Sequence, residues 1–439
     1  MKEPERKPHS RKRRGRAVLA GCLVLATPAC ESGWPVELRV TVLASPAGAG
    51  SVAPFLSPGR DGVWMSWLEA DGNDHRLLLA QRIPEGAPAD GATADGTWSP
   101  VREAGRSDNY FVNWADFPVV VEDARGRLWT HWLERGAAGG YDYGVRLVSS
   151  EDGGATWSQP ISLHDDGSPV EHGFVSSIGI GDGASSDAGS GAAFVWLDGR
   201  KMAPDADAES EREMTIRYRE VAFLDGQLSA GPEVLLDGRT CECCQTDMAA
   251  TSDGPAVVYR DRSPDEIRDI RIVRRVDDRW SEPMPVHRDG WHFEGCPVNG
   301  PALAVSGERL AVLWFTGADG RPQVKAAVST DSGASFSAPL ALDRGDPIGR
   351  VELVGMGDGS FLAFWLERTD GGGADLVALP IDGDGRAGSS ATVGKTAAGR
   401  AAGFPRAALE APGRVLVAWT ETEPSNSVRI ARVEAKSLR

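Results

Sequence analysis

The strongest constraint on this chain is a phrase that returns seven times: an aromatic residue, one intervening residue, then usually an acid. The copies are Trp67-Leu-Glu69, Trp132-Leu-Glu134, Trp196-Leu-Asp198, Tyr259-Arg-Asp261, Trp314-Phe-Thr316, Trp365-Leu-Glu367 and Trp419-Thr-Glu421, spaced 51 to 65 residues apart. Each closes a run of apolar and small residues, as at 191–195 and 414–418, that reads as a buried strand. Inner-strand candidates precede it at 117–121, 301–305 and 404–408. Third strands follow at 76–80, 143–148 and 270–273. A fourth opens on Trp98-Ser-Pro100, Trp157-Ser-Gln-Pro160, Leu228-Ser-Ala-Gly-Pro232, Trp280-Ser-Glu-Pro283 or Phe336-Ser-Ala-Pro339, with a degenerate version near Ala387. A period of this length made of short strands predicts an all-β propeller with one four-stranded sheet per repeat. Seven blades are expected, or six if one weak repeat is irregular.

The seventh repeat stops after its third strand, at 428–432. A fourth-strand phrase, Trp34-Pro35, and an alternating run at 36–42 stand at the other end of the chain. The N-terminus is therefore expected to complete the last blade, which removes the open edges of an unclosed ring.

The residues before that strand read as a leader. Residues 1–29 carry eight basic and two acidic side chains, and 17–29 form an apolar stretch too short to span a bilayer. It ends in Ala-Thr-Pro-Ala before Cys30, which resembles a bacterial lipoprotein cleavage site with Cys30 as the lipidated residue. Cys22, in Leu19-Ala20-Gly21-Cys22, is the competing position. Arg13-Arg14 belongs to an ordinary basic leader. The domain reading is a signal peptide over 1–29 and a propeller over 30–439, exported and held on the periplasmic or cell-surface side through a lipid anchor alone. The full chain carries a net charge of −16, so the part after residue 29 is near −22. Such a surface repels nucleic acid.

Two turns before fourth strands are more specific. Ser150-Glu-Asp152-Gly-Gly154-Ala-Thr-Trp157 and Ser329-Thr-Asp331-Ser-Gly333-Ala-Ser-Phe336 resemble the bacterial neuraminidase repeat, or Asp-box. Physically, the Asp carboxylate can accept N–H bonds within the turn, Gly supplies backbone freedom and the aromatic packs between sheets. The role read for them is structural. On these motifs the chain is similar to the sialidase-like propellers. It also resembles a bacterial branch with a Cys-x-Cys-Cys phrase and a Gly-Cys-Pro phrase, here Cys241-Glu-Cys243-Cys244 and Gly295-Cys296-Pro297. The resemblance implies three arginines on a substrate carboxylate, a late Tyr–Glu nucleophile pair and an Asp acid/base. The last tyrosine is Tyr259, so repeats five to seven hold none, and Arg82-Ile-Pro84 falls on a third strand. A conventional exo-sialidase is therefore not the first reading.

Candidate site residues cluster where loops enter and leave repeat four. Ligand-binding candidates are Asp247, Arg260, Asp261, Arg262 and Asn299, with arginines suited to a carboxylate or sulfate on a glycan. His164 and His172 stand in the loop from repeat two to three. Cys241, Cys243, Cys244 and Cys296 make an even set that reads as two disulfides. A strained Cys243–Cys244 bond, or a Zn or Cu site completed by His287 or His292, stand as alternatives. Asp205, Asp207, Glu209, Glu211 and Glu213 form an acidic hairpin, a weak calcium candidate. The function expected is recognition of a glycan or protein ligand on this face. A sialidase-like glycoside hydrolase and a metal or redox protein are the alternatives.

Overall fold

The computed structural model describes residue 34 and residues 36–84, 96–181, 190–203 and 212–437. Cys30, the leader and the acids from Asp205 to Glu211 lie outside the described residues. Residues 33–439 form one compact unit.

That unit is a seven-bladed, all-antiparallel β-propeller. The second, central strands of the blades are Gly62–Asp71, Leu128–Arg135, Gly191–Asp198, Gly254–Arg260, Arg309–Thr316, Phe361–Arg368 and Arg414–Glu421. The inner strands are Ser51–Gly59, Val120–Glu122, His172–Ile180, Asp247–Thr251, Ala302–Ser306, Pro347–Gly355 and Arg406–Ala411. Each inner strand contacts its neighbours on both sides, so the seven close a ring around an axis. The N-terminal strand Val36–Leu43 pairs antiparallel with Ser427–Ser437 as the outer strand of the seventh blade. The outer strand of blade three, expected as one segment from Leu228, is broken into Gln227–Ala230 and Val234–Thr240.

The repeated aromatic-x-acid phrase has a direct cause. Residues two apart on a strand share a face, so the buried indole N–H can donate to the acid of its own phrase. Trp67 donates to Glu69 at 2.8 Å, Trp196 to Asp198 at 2.9 Å and Trp365 to Glu367 at 2.6 Å. The acid satisfies a donor that burial would otherwise leave orphaned. Blade five lacks the acid at Thr316, and Trp314 reaches Asp289 of a loop instead, at 2.7 Å. Blade four replaces Trp with Tyr259, whose hydroxyl donates to Asp237 at 2.6 Å.

The two turns at Asp152 and Asp331 are superposable in their bonding. Each carboxylate accepts a backbone N–H four residues on, at 2.8 Å, and the hydroxyls of Thr156 or Ser335. Ser150 and Ser329 accept the N–H of Gly154 and Gly333, both at 2.8 Å. These bonds pull both carboxyls below the usual range. The turns share a face with the first-to-second-strand hairpins, since Ser252 Oγ and Ser332 Oγ lie 3.3 Å apart. The loops leading from blade to blade occupy the opposite face, termed the top. There the hairpin after Arg260 bridges to the next interblade loop through Ile267 and His292.

Candidate functional site

The top-face loops meet over the axis. The loop from blade one to two carries Asn113, Trp114, Ala115 and Asp116. Gln245, from the loop between blades three and four, donates to the Ala115 carbonyl at 2.6 Å, and Thr246 donates to the Phe174 carbonyl at 2.8 Å. Below them a small cavity on the axis is lined by Asp116, Asp247, Gln245, Ser176, Phe117 and Arg406, among others.

The residues singled out around repeat four fall into distinct roles. Arg260 is buried, stacks on Trp291 at 4.8 Å, and donates to the carbonyls of Asn299, Arg268 and Phe315. All three of its nitrogens donate to backbone, so it ties two top-face loops to the central strand of blade five. Arg262 pairs with Glu242 and Glu266, and Asp261 pairs with Arg271 at 2.6 Å. Asp247 accepts the N–H of Leu303 at 2.7 Å and lines the axial cavity; burial lifts its carboxyl to about 6. Asn299 is a junction. Its carbonyl accepts Arg260, and its side-chain Oδ1 accepts the backbone N–H of Arg350 at 2.7 Å.

The cysteines do gather. Cys243 and Cys296 are joined, tying two interblade loops. Cys241 and Cys244 are buried thiols with Sγ atoms 2.7 Å apart. The Sγ atoms of Cys241, Cys243 and Cys244 all lie within 4.8 Å of one another. His287 stands against Trp314 and Asp289, and His292 is exposed beside Glu294. Among the described residues, the groups that could share a metal ion are the three cysteines and His164–Asp166–His172, so neither His287 nor His292 joins the sulfurs. Glu213 pairs with Arg239 at 2.9 Å.

Sequence reasoning passed over the most unusual group on this face, Arg350. It sits where the chain enters the inner strand of blade six, at a β-bulge, with φ +54°. The same left-handed kink carries Ala53 into blade one and Phe174 into blade three, so the bend belongs to the fold. The arginine is what departs from the pattern. Its side chain is 5% exposed, and the hydrogen bond it makes through its guanidinium is to the Gly403 carbonyl, at 3.0 Å. Trp114 lies against it, 4.8 Å from guanidinium to ring. No acid pairs with it among the described residues. Burial, then the positive charges of Arg368 and Arg400, drive its pKa down to about 10. Arg400 is exposed and also faces Trp114, at 5.9 Å. Buried charges are ordinarily paired; here Arg350 and Arg400 flank one half-buried indole, while Arg368 pairs with Asp346 at 3.4 Å. Nothing in the local sequence Gly-Arg-Val marks Arg350, because Trp114, Asn299, Arg400 and Gly403, which it meets, are remote from it in sequence.

A second group of titratable side chains centres on Tyr143. Tyr143 donates or accepts at two carboxyls, Asp116 at 2.8 Å and Glu171 at 2.6 Å. A hydroxyl has one proton to give, so both bonds form only if one acid keeps its proton. Burial lifts Asp116 to about 8 and Glu171 to about 7. Asp116 also accepts the Phe174 N–H at 2.8 Å through its other oxygen.

No protein-family model and no curated protein matches the sequence. Among solved structures, the chain is similar to a protein of unknown function from Dyadobacter fermentans, with 11% identity, 92% of this chain and 100% of that one covered, and a TM-score of 0.49. It is also similar to a Hadza microbial sialidase, with 16% identity, 72% and 63% coverage and a TM-score of 0.41. A polysaccharide lyase shares 12% identity over 90% of this chain and 91% of its own, with a TM-score of 0.47.

Proposed function

We propose that the top face binds an anionic glycan, with Arg350 as the floor of the site, Arg400 at its rim and Trp114 as its wall. The observation that carries this reading is the buried guanidinium of Arg350, set among cations and without a carboxylate partner among the described residues. Its charge is compensated when a carboxylate or sulfate enters. The half-exposed indole beside it asks for a ligand that also has a flat apolar face, and a sugar acid or sulfated sugar has both. The chain is read as an exported lipoprotein anchored at Cys30, which palmitate labelling lost in Cys30→Ala would test.

The binding test uses calorimetry with polygalacturonate and chondroitin sulfate against neutral dextran. Salt-sensitive binding to the anionic polymers, weakened at least tenfold by Arg350→Met and by Arg400→Ala, is the expected result. Equal affinity for dextran would end the reading.

The Asp116–Tyr143–Glu171 network supports a second reading, in which the bound glycan is cleaved. Asp116, lifted by burial to about 8, lines the axial cavity, and a carboxyl raised in this way is suited to give up a proton as a general acid. New reducing ends or unsaturated products, lost in Asp116→Asn while binding persists, would favour it. Binding without turnover leaves the first reading.

A further inference from the structure

The four cysteines form a graded stack. Cys296 is exposed, Cys243 half-buried, and Cys241 and Cys244 are 1% and 2% exposed. The outer two are bonded and the inner two are thiols. Cys241 and Cys244 occupy the first and fourth positions around a turn at Glu242–Cys243, a spacing that a disulfide can close. The half-buried sulfur of the outer bond is within 4.8 Å of both inner sulfurs. A structural disulfide has no need of a dithiol at its back.

We propose that this stack is a thiol–disulfide exchange centre, in which the buried Cys241/Cys244 dithiol passes two electrons to the exposed Cys243–Cys296 bond. The Cys244 thiolate attacks Cys243 Sγ, and Cys296 leaves as a thiolate. Cys241 then attacks Cys244 Sγ, forming Cys241–Cys244 and releasing Cys243, and its proton ends on the freed outer pair. One S–S bond breaks and one forms, so the exchange consumes no outside oxidant or reductant.

The surroundings sort the roles. Burial raises Cys241 well above its ordinary value. At Cys244 burial acts the same way, but the hydrogen bond from Cys241 and the charges of Arg260 and Arg268 outweigh it and leave the thiol more acidic. The backbone N–H of Asn299 also points at the Cys244 sulfur. Cys244 is thus the nucleophile and Cys241 the resolving thiol. The outer pair, once reduced, presents the Cys296 thiol to a disulfide, either of a small molecule or of another protein. This inference does not depend on the anion site at Arg350.

The test uses the full chain after its leader, first assayed for metal by elemental mass spectrometry. Single-disulfide protein is prepared in two ways, as isolated (with one equivalent of dithiothreitol if both pairs are oxidised) and by reoxidation of fully reduced protein. Small thiols are removed, samples are acid-quenched over time, and free thiols are alkylated and mapped. Both preparations should relax to one ratio of label on Cys243/Cys296 to label on Cys241/Cys244, and Cys244→Ser should slow that relaxation at least tenfold. Label that stays where it began in wild-type protein overturns the proposal without recourse to any variant. So does about one equivalent of Zn or Cu released on alkylation.

Discussion

Arg350→Met separates binding from stability. A guanidinium held near 10 in the folded protein carries an unfavourable charging free energy of about 3 kcal/mol at neutral pH. Methionine keeps the apolar stem against Trp114 and removes the charge. Against that gain stand the cation–π contact at 4.8 Å, worth about 1 kcal/mol, and the bond to Gly403, worth about 1 kcal/mol. The variant should therefore be about 1 kcal/mol more stable than the parent, whereas truncating a buried side chain normally costs about 1 kcal/mol or more. The sign follows from linkage. Below pH 10 both states hold the proton and the folded state bears the cost, which is relieved as pH rises through the folded value, before the unfolded chain titrates. Urea unfolding at pH 7, followed by tryptophan fluorescence, reads the difference. Saturating chondroitin sulfate should cancel or reverse the order, since ligand at 100 times the parent's Kd stabilises the parent by about 2.7 kcal/mol and a variant bound tenfold more weakly by at most about 1.4 kcal/mol. A variant destabilised by 2 kcal/mol or more that still binds the polymer would refute the reasoning.

Other substitutions probe other parts. Asp116→Asn should flatten the pH dependence of stability: a carboxyl raised to about 8 stabilises below the unfolded value and loses that contribution as pH rises to 8. The asparagine variant should thus be about 1–3 kcal/mol more stable than the parent at pH 9, measured by urea unfolding. Asn299→Ala removes the acceptor for the Arg350 N–H and should cost about 1–2 kcal/mol while weakening polygalacturonate binding several-fold in calorimetry. Asp331→Ala breaks its turn on the opposite face; a loss of about 1 kcal/mol with unchanged glycan affinity is expected. Alkylating Cys243 and Cys296 after reduction opens a bridge between positions 53 apart and should lower stability by up to about 4 kcal/mol, read as a lower urea midpoint.

The propeller was legible because its signals are local and repeated. Trp67, Trp196 and Trp365 each carry their acid partner two residues on, so one strand face holds donor and acceptor alike. The closing strand was legible for the same reason: the alternation at 36–42 matched a repeat that lacked its fourth strand. The site was less so. The cysteine stack could be placed because both phrases contain its atoms, yet which sulfurs are bonded depends on where two loops cross. Arg260 looked like a ligand-binding arginine, and its partners turned out to be the carbonyls of Asn299, Arg268 and Phe315, which no spacing encodes. Arg350 was invisible because its environment is assembled from Trp114, Arg368 and Arg400, on three separate segments.

The pairing of Val36 with Ser437 has a consequence for the order of events during synthesis. The strand that seals the ring is made first and its partner last, so almost the entire chain must be complete before the seventh blade exists. Until then the first blade and the sixth each present an unpaired flank, and no intermediate has the closed circular core. A loop of some 400 residues costs only a few kcal/mol more to close than a short one, but the search is slow, because contacts so remote in sequence come late. Loss of the last dozen residues would leave the N-terminal strand with nothing to pair against and the ring open at its seam.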